Sequence, residues 1–272
     1  MKKTLLICAA LAFCGCSGGS SNSGGSGGGT QTPAAVAGKW DIISVSTQNP
    51  GASYPYAAIE ANLSQTDTTV SAGAAATQVL PFYVQGGTFG VASENACGGT
   101  SETVSASVSG NNFTFTLTET GPNGTYNITG TATVSTDGTT MTGNYSAAAA
   151  CGFSSDAGTF TGSLISSVSG TYSVNDGTGT STTITVTEDN SHNLTVTGSS
   201  QGSSFTLTGE AIGGLMVLSG NVPGIGLTDY VAIYLTPQLV TLVPTINGVA
   251  TTAGQFVIFG SDGSIGLATK QQ

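Results

Sequence analysis

Between Asn112 and Thr120 every second side chain is apolar: Phe113, Phe115 and Leu117 alternate with Thr114, Thr116 and Thr118. A period of two puts one set on each face of an extended strand, and no helix can satisfy it. Thr125–Ser135 repeats the pattern, with Tyr126, Ile128, Ala132 and Val134 on one face and Gly130 as a bend or bulge. The stretch from Thr120 to Gly124 reads as a hairpin loop, and Asp137-Gly138 as a turn needing positive φ. β-branched Thr suits the wet face of a strand and needs no charge. Beyond Pro33 no useful length of helical periodicity appears. The pattern predicts an all-β chain of two tandem antiparallel up-and-down meander units, barrel- or sandwich-like.

Two units are predicted because the chain repeats itself. Phe113–Ala132 aligns without a gap on His192–Ala211 at a constant offset of 79. Phe115 falls on Leu194, Leu117 on Val196, Tyr126 on Phe205, Ile128 on Leu207 and Gly130 on Gly209. After a shorter turn, Met141–Asn144 falls on Leu218–Asn221, and upstream Gly38-Lys39-Trp40 matches Gly170-Thr171-Tyr172. The units are placed at 34–166 and 167–272, the first with an insertion from about Thr47 to Thr103. Late in the chain, Leu215–Leu218, Tyr230–Leu235, Leu239–Val243 and Gln255–Phe259 are apolar on both faces. These read as strands covered on both sides, the other unit being the expected cover.

Charge excludes whole classes of partner. Fourteen acidic residues follow Cys16 but only two lysines, Lys39 and Lys270, and there is no arginine, so the body carries a net charge near −12. Recognition of phosphate needs clustered basic side chains, so nucleic acid is excluded and anionic lipid or polysaccharide disfavoured.

The start of the chain gives an address. Lys2 and Lys3 precede an uncharged run from Thr4 to Gly15, far short of the roughly 20 residues that span a bilayer. Gly15-Cys16 closes that run and resembles the lipobox of bacterial lipoproteins, with Phe13 in place of the usual aliphatic residue. The resemblance implies a signal peptide over 1–15 and lipid attachment at Cys16. Bulky Phe13 before Cys14 argues against Cys14. The Ser/Gly-rich stretch to Pro33 reads as a tether whose ends lie roughly 23 Å apart. Ser17 after the cysteine implies, by resemblance to lipoprotein sorting, the outer membrane. Cys97 and Cys151 are then the cysteines left, and an even pair in an exported chain reads as a disulfide. Closing that loop stabilises by about 4 kcal/mol in the chain-entropy model.

Gly38-Lys39-Trp40, Glu60–Leu63, Ala96–Gly99, Asp137–Ser146, Cys151 and Gly158–Leu164 together resemble a group of predicted lipoproteins of acidobacterial-type soil bacteria. The shared motifs are turns, glycines and a cysteine pair, and the resemblance implies no activity. Gly38-x-Trp40 is also similar to the opening of lipocalin-type up-and-down barrels.

Candidate chemistry is sparse. His192 is the single histidine and reads as a turn residue. One histidine and no free cysteine exclude a histidine-rich zinc site. Asp137-Gly138, Asp176-Gly177 and Asp262-Gly263 lack the further oxygen ligands of a calcium loop. No cofactor or metal is expected. Glu60, Glu94, Glu102, Glu119, Glu188 and Glu210 are available as paired carboxylates for a hydrolase, but none lies in a motif. Tyr54, Tyr56 and Tyr83, with Trp40 and Phe82, are candidates for an aromatic binding face, Trp40 reading rather as core. The expected function is a lipid-anchored cell-envelope binding or structural module. Its expected partners are the membrane, through the lipid, and a small molecule, glycan or protein. The rival is an extracytoplasmic hydrolase. A closed barrel with an apolar lumen favours ligand binding, and carboxylates converging in one cleft favour the enzyme.

If Cys16 carries the lipid, Cys16→Ser releases the protein from membranes on fractionation and Cys14→Ser does not. Release by Cys14→Ser alone would move the attachment site.

Overall fold

The computed structural model describes residues 32–85, 88–91, 97–98, 101–175, 181–246, 249–261 and 264–271. Cys16, Glu94, Asp176-Gly177 and Asp262-Gly263 lie outside them. Strands dominate. The first set is β1 (Gly38–Ser46), β2 (Tyr56–Thr66), β3 (Thr69–Ala72), β4 (Thr77–Gln85), β5 (Thr88–Val91), β6 (Ser101–Ser109), β7 (Asn112–Gly121), β8 (Gly124–Val134), β9 (Thr140–Ala147) and β10 (Asp156–Ile165). The second set is β11 (Gly170–Asn175), β12 (Ser181–Glu188), β13 (Asn193–Ser200), β14 (Ser203–Ile212), β15 (Leu215–Val222) and β16 (Gly226–Tyr234), then helix α1 (Pro237–Leu242). It ends with β17 (Thr245–Ile246), β18 (Val249–Ala250), β19 (Phe256–Gly260) and β20 (Ile265–Lys270).

Each set closes into an antiparallel barrel of eight strands. The first ring runs β1-β10-β9-β8-β7-β6-β3-β2 and returns to β1, with the β4–β5 hairpin branching from β2. The second runs β11-β12-β13-β14-β15-β16-β19-β20 and returns to β11. The alternation reads through directly. Phe113, Leu117, Ala132 and Val134 are buried in the first lumen, and Leu194, Val196 and Leu207 in the second. Thr114, Thr195 and Thr197 are exposed.

The offset of 79 survives as strand register. Phe115 pairs with Gly130 and Leu117 with Ile128, as Leu194 pairs with Gly209 and Val196 with Leu207. The first strands match as well. Trp40 Nε1 donates to the Val36 carbonyl at 2.9 Å, and the Tyr172 hydroxyl donates to the Val168 carbonyl at 2.7 Å. Each aromatic is buried at the floor of its barrel and locks the chain that enters it.

Four expectations are corrected. The Thr47–Thr103 segment is no appendage: it supplies β2 and β3, two of the eight strands of the first wall, while the second barrel takes the corresponding places from β19 and β20 at its C-terminal end. A ring of this size cannot close on six strands. The match of Met141 with Leu218 does not hold in register, since Met141 lies opposite Val134 and Leu218 opposite Gly209. Gly130 sits in an unbroken ladder rather than a bulge, because an added Cβ there would lie 2.3 Å from the Phe115 ring. Leu239–Val243 is the end of a single-turn helix rather than a strand. Thr236 caps it by accepting from the Leu239 amide, and Pro237 opens it.

The greasy strands of the second barrel are covered by the first, as expected. Leu215, Ile233, Leu235 and Val257 pack with Leu239 and Val243 of the α1 segment against Ile43, Ala58 and Phe82. The two barrels therefore share a third apolar core at their joint.

Because Leu117 points into the lumen and Thr116 away from it, Leu117→Asp should cost on the order of 2–5 kcal/mol and Thr116→Asp well under 1. Urea melts of the two variants check this, and equal losses would mean that both faces of β7 are buried.

Candidate functional site

The first lumen is filled from its floor upward and then opens. Trp40, Phe113, Val134 and Met141 close the bottom, and Phe115 meets Phe160 edge to face at 5.4 Å above them. Gly130 and Gly143 leave room for these rings: a Cβ at Gly143 would lie 2.8 Å from Phe160. One and two turns of the pleat further on, the inward side chains become polar. Ser44, Ser46, Glu119, Tyr126, Tyr145 and Asp156 line a cavity of about 940 Å³ at the open end. That is within the size range of small-molecule sites. The second lumen is packed instead, and the cavity at its Tyr172 end is only about 230 Å³.

The rim is built by two loops. Residues 48–55 follow β1, and residues 152–154 precede β10, and both line the cavity. Asp156 fastens the first loop to the wall. It accepts from Ser46 Oγ at 2.6 Å, Tyr145 Oη at 2.7 Å and Asn49 Nδ2 at 3.1 Å. The second loop is fastened by the Cys97–Cys151 disulfide, with Cα atoms 5.0 Å apart. Glu119 Oε1 accepts from the Cys97 amide at 2.6 Å, which ties the disulfide to the cavity wall. Burial first, then the charges of Asp156 and Glu119, push the Tyr126 phenol up. Burial and the hydrogen bond to Asp156 do the same to Tyr145.

Of the aromatic candidates, Tyr54 and Tyr56 line the cavity. Tyr83 does not line it but backs Tyr54, rings edge to face at 5.8 Å, and Tyr56 stacks on buried Phe82 at 5.3 Å. Trp40 is core. Tyr126 was read from the sequence as an inward-facing residue and not as a site residue, and Tyr145, Phe153 and Asp156 were not singled out. The inward phase of Tyr126, Tyr145 and Asp156 was legible on β8, β9 and β10, but their convergence with Phe153 depends on ring closure.

The carboxylates scatter to other tasks. Glu102 is buried opposite Glu119 in the β6–β7 register and accepts from the Val79 amide at 2.5 Å. Glu210 is exposed. Glu188 sits at the joint, where Lys39 Nζ donates to both its oxygens at 2.5 and 2.7 Å. The His192 ring approaches the same carboxylate at 2.8 Å, from a turn position with φ of 64°. Burial pushes Glu188 up, but the Lys39 and His192 contacts and the Val168 amide more than offset it and hold it below its usual range. His192 thus serves a joint, not a Ser–His–acid site. Among the described residues no group of three or more His, Cys, Asp or Glu is placed to hold a metal ion.

Besides Glu102 and Glu119, a second buried carboxylate pair forms, and it is sealed. Asp41 and Glu60 lie directly opposite each other on β1 and β2, on the outer face turned to the second barrel, and are 1% and 0% exposed. The Gly213-Gly214 turn between β14 and β15 presses onto them. Gly214 N donates to Glu60 Oε2 at 2.6 Å, and Gly213 N to Asn62 Oδ1 at 2.8 Å. Gly213, at φ of 57°, has no room for a side chain, since a Cβ would lie 2.4 Å from both Glu60 Oε2 and the Trp40 carbonyl. Both oxygens of Asp41 and Oε1 of Glu60 find no hydrogen-bond donor among the described residues. Burial pushes Asp41 up to about 7, partly offset by the Thr236 hydroxyl and the Glu60 carboxyl. Burial and then the Asp41 charge push Glu60 well above its usual range. A protonated carboxyl supplies the donor that two carboxylates lack. No substrate can reach this pair.

Its consequence is for stability. Asp41 holds its proton more tightly folded than unfolded, so its contribution to stability is full below about pH 4 and falls as pH rises towards 7. Glu188 acts in the opposite sense, losing its contribution as pH falls below its unfolded value. Stability should therefore peak on the acid side of neutrality. Asp41→Asn should flatten the fall between about pH 4 and 7 and be at least as stable as the parent at pH 8. Chemical denaturation across that range checks it, and an unchanged slope in Asp41→Asn would show that the fall does not come from Asp41.

The chain matches no protein-family model, no curated protein and no solved structure, so its two barrels and their cavity stand on their own geometry.

Proposed function

We propose that this protein is a lipid-anchored binding protein of the cell envelope, which holds a small ligand in the open end of its first barrel. The observation that carries this reading is the cavity of about 940 Å³ above a floor sealed by Trp40. A pleated wall that could have been filled with apolar side chains, as the second one is, is lined there by serines, tyrosines and two carboxylates. The second barrel is then the support: its apolar outer face, the Gly213-Gly214 turn and the Glu188–Lys39 ion pair steady β1 and β2, two strands of the binding barrel. The Cys16 lipid and the Ser/Gly tether would hold this body near a membrane, the outer membrane on the Ser17 signal, with no nucleic-acid partner.

A hydrolase is the second reading, favoured by one observation: Glu119 and Asp156 line the same cavity. Against it, both carboxylates are engaged by protein donors, Glu119 by the Cys97 amide and Asp156 by three side chains. Turnover of aryl glycosides that is lost in both Glu119→Gln and Asp156→Asn would favour the enzyme.

Native mass spectrometry of the protein isolated from envelope membranes tests the binding reading. A non-covalent small molecule should accompany the parent and be lost from Ala57→Trp, which fills the cavity. Empty protein across all preparations, or a ligand retained by Ala57→Trp, would count against it.

A further inference from the structure

We infer that the ligand of the first barrel is an organic cation, an amine or quaternary ammonium compound. This rests on the binding reading above and adds the chemical class. Glu119 and Asp156 line the cavity. No basic side chain of the body faces them. There is no arginine in the chain. Lys39 points out of the first barrel and is bound by Glu188 of the second. Lys270 lies over the Tyr172 ring of the second barrel, and His192 is on Glu188. The acidic end of the lumen is therefore not neutralised by the protein itself.

The hydrogen-bond inventory points the same way. Three of the cavity's donors are already engaged by the protein: Ser46, Asn49 and Tyr145 all donate to Asp156. An anionic ligand would meet carboxylates with no free donor group among these three. A cation would meet carboxylates in a partly desolvated site, where Coulomb attraction is stronger than in water. It would also meet the rings of Tyr54, Tyr56, Tyr126, Tyr145 and Phe153, whose faces attract cations. Tyr126 already feels both Asp156 and Glu119, so the two charges converge on one part of the wall.

The probes are choline and its neutral carbon isostere, 3,3-dimethylbutan-1-ol, titrated into the full-length purified protein by calorimetry. Choline should bind at least about tenfold more tightly than the isostere, and more weakly as salt is raised. Glu119→Gln and Asp156→Asn should each weaken choline about tenfold or more and narrow the gap between choline and the isostere. Ser44→Lys, which places a cation in the cavity without touching either carboxylate, should abolish choline binding in a protein that melts like the parent. The variant serves as the control should Asp156→Asn loosen the rim. Equal affinity for the two probes, or choline binding indifferent to Ser44→Lys, overturns the inference while leaving a binding cavity in place. No choline binding at millimolar concentration also overturns it. The binding reading itself is decided separately, by the native mass measurement on the parent and Ala57→Trp.

Discussion

A sheet edge in this chain would have little to guard it. Natural edges are blunted by lysines, prolines and inward charges, and here charged residues are 7% of the chain. The walls are Thr and Ser outside and apolar inside, good strand formers on both faces with no repulsion to stop them pairing further. Closure is what removes the hazard. Both sheets close at eight strands, and the need to close explains why the first barrel draws β2 and β3 from a segment that looks like an insertion. It also explains why the second recruits β19 and β20 from beyond its helix. The local repeat of β7–β8 and β13–β14 fits either ring because a strand pair fixes register with its neighbour and not its place around the circle.

Closure also decides where the polar residues go. Eight strands leave an interior that side chains just fill. In the second barrel they do. In the first, the glycines at Gly130 and Gly143 leave room for Phe115 and Phe160 to meet edge to face across the middle, and the large rings finish the core there. Beyond them the wall carries Ser44, Ser46, Glu119 and Asp156, and the lumen stays open. The disulfide and Asp156 do parallel work on the two rim loops: one is a covalent tie, the other a three-donor carboxylate.

The joint between the barrels is polar where it might have been wholly apolar. Around the apolar contact of Ile43 and Ala58 with Leu215 and Ile233 sit Asp41, Glu60, Asn62 and the Lys39–Glu188 pair. Asn62 and Glu60 read the backbone of the Gly213-Gly214 turn by hydrogen bonds, which sets the position of one barrel on the other more sharply than grease alone. The cost falls on Asp41, whose burial pushes its carboxyl up to about 7. The joint is therefore sensitive to pH while the apolar lumen packing is not.

Much of this was legible beforehand because strand alternation is local. Phe113, Leu117, Leu194 and Leu207 could be placed in core, Thr114 and Thr195 outside, and Cys97 with Cys151, from the sequence alone. Tyr54 and Tyr56, singled out because Tyr-Pro-Tyr between strands marks an irregular aromatic loop, line the cavity. The helix at Pro237–Leu242 was missed, because the apolar run Leu239–Val243 was read as a strand. Other features had no local sign. Asp41 and Glu60 are nineteen positions apart in the chain and become a pair only through the β1–β2 register. Glu119 and Asp156 share a cavity only because the sheet curves round to bring β7 and β10 across from each other. Periodicity determines which way a side chain points from its own strand. Ring closure and the docking of one barrel on the other determine what it meets there, because those contacts are made between strands that the chain's order does not bring together.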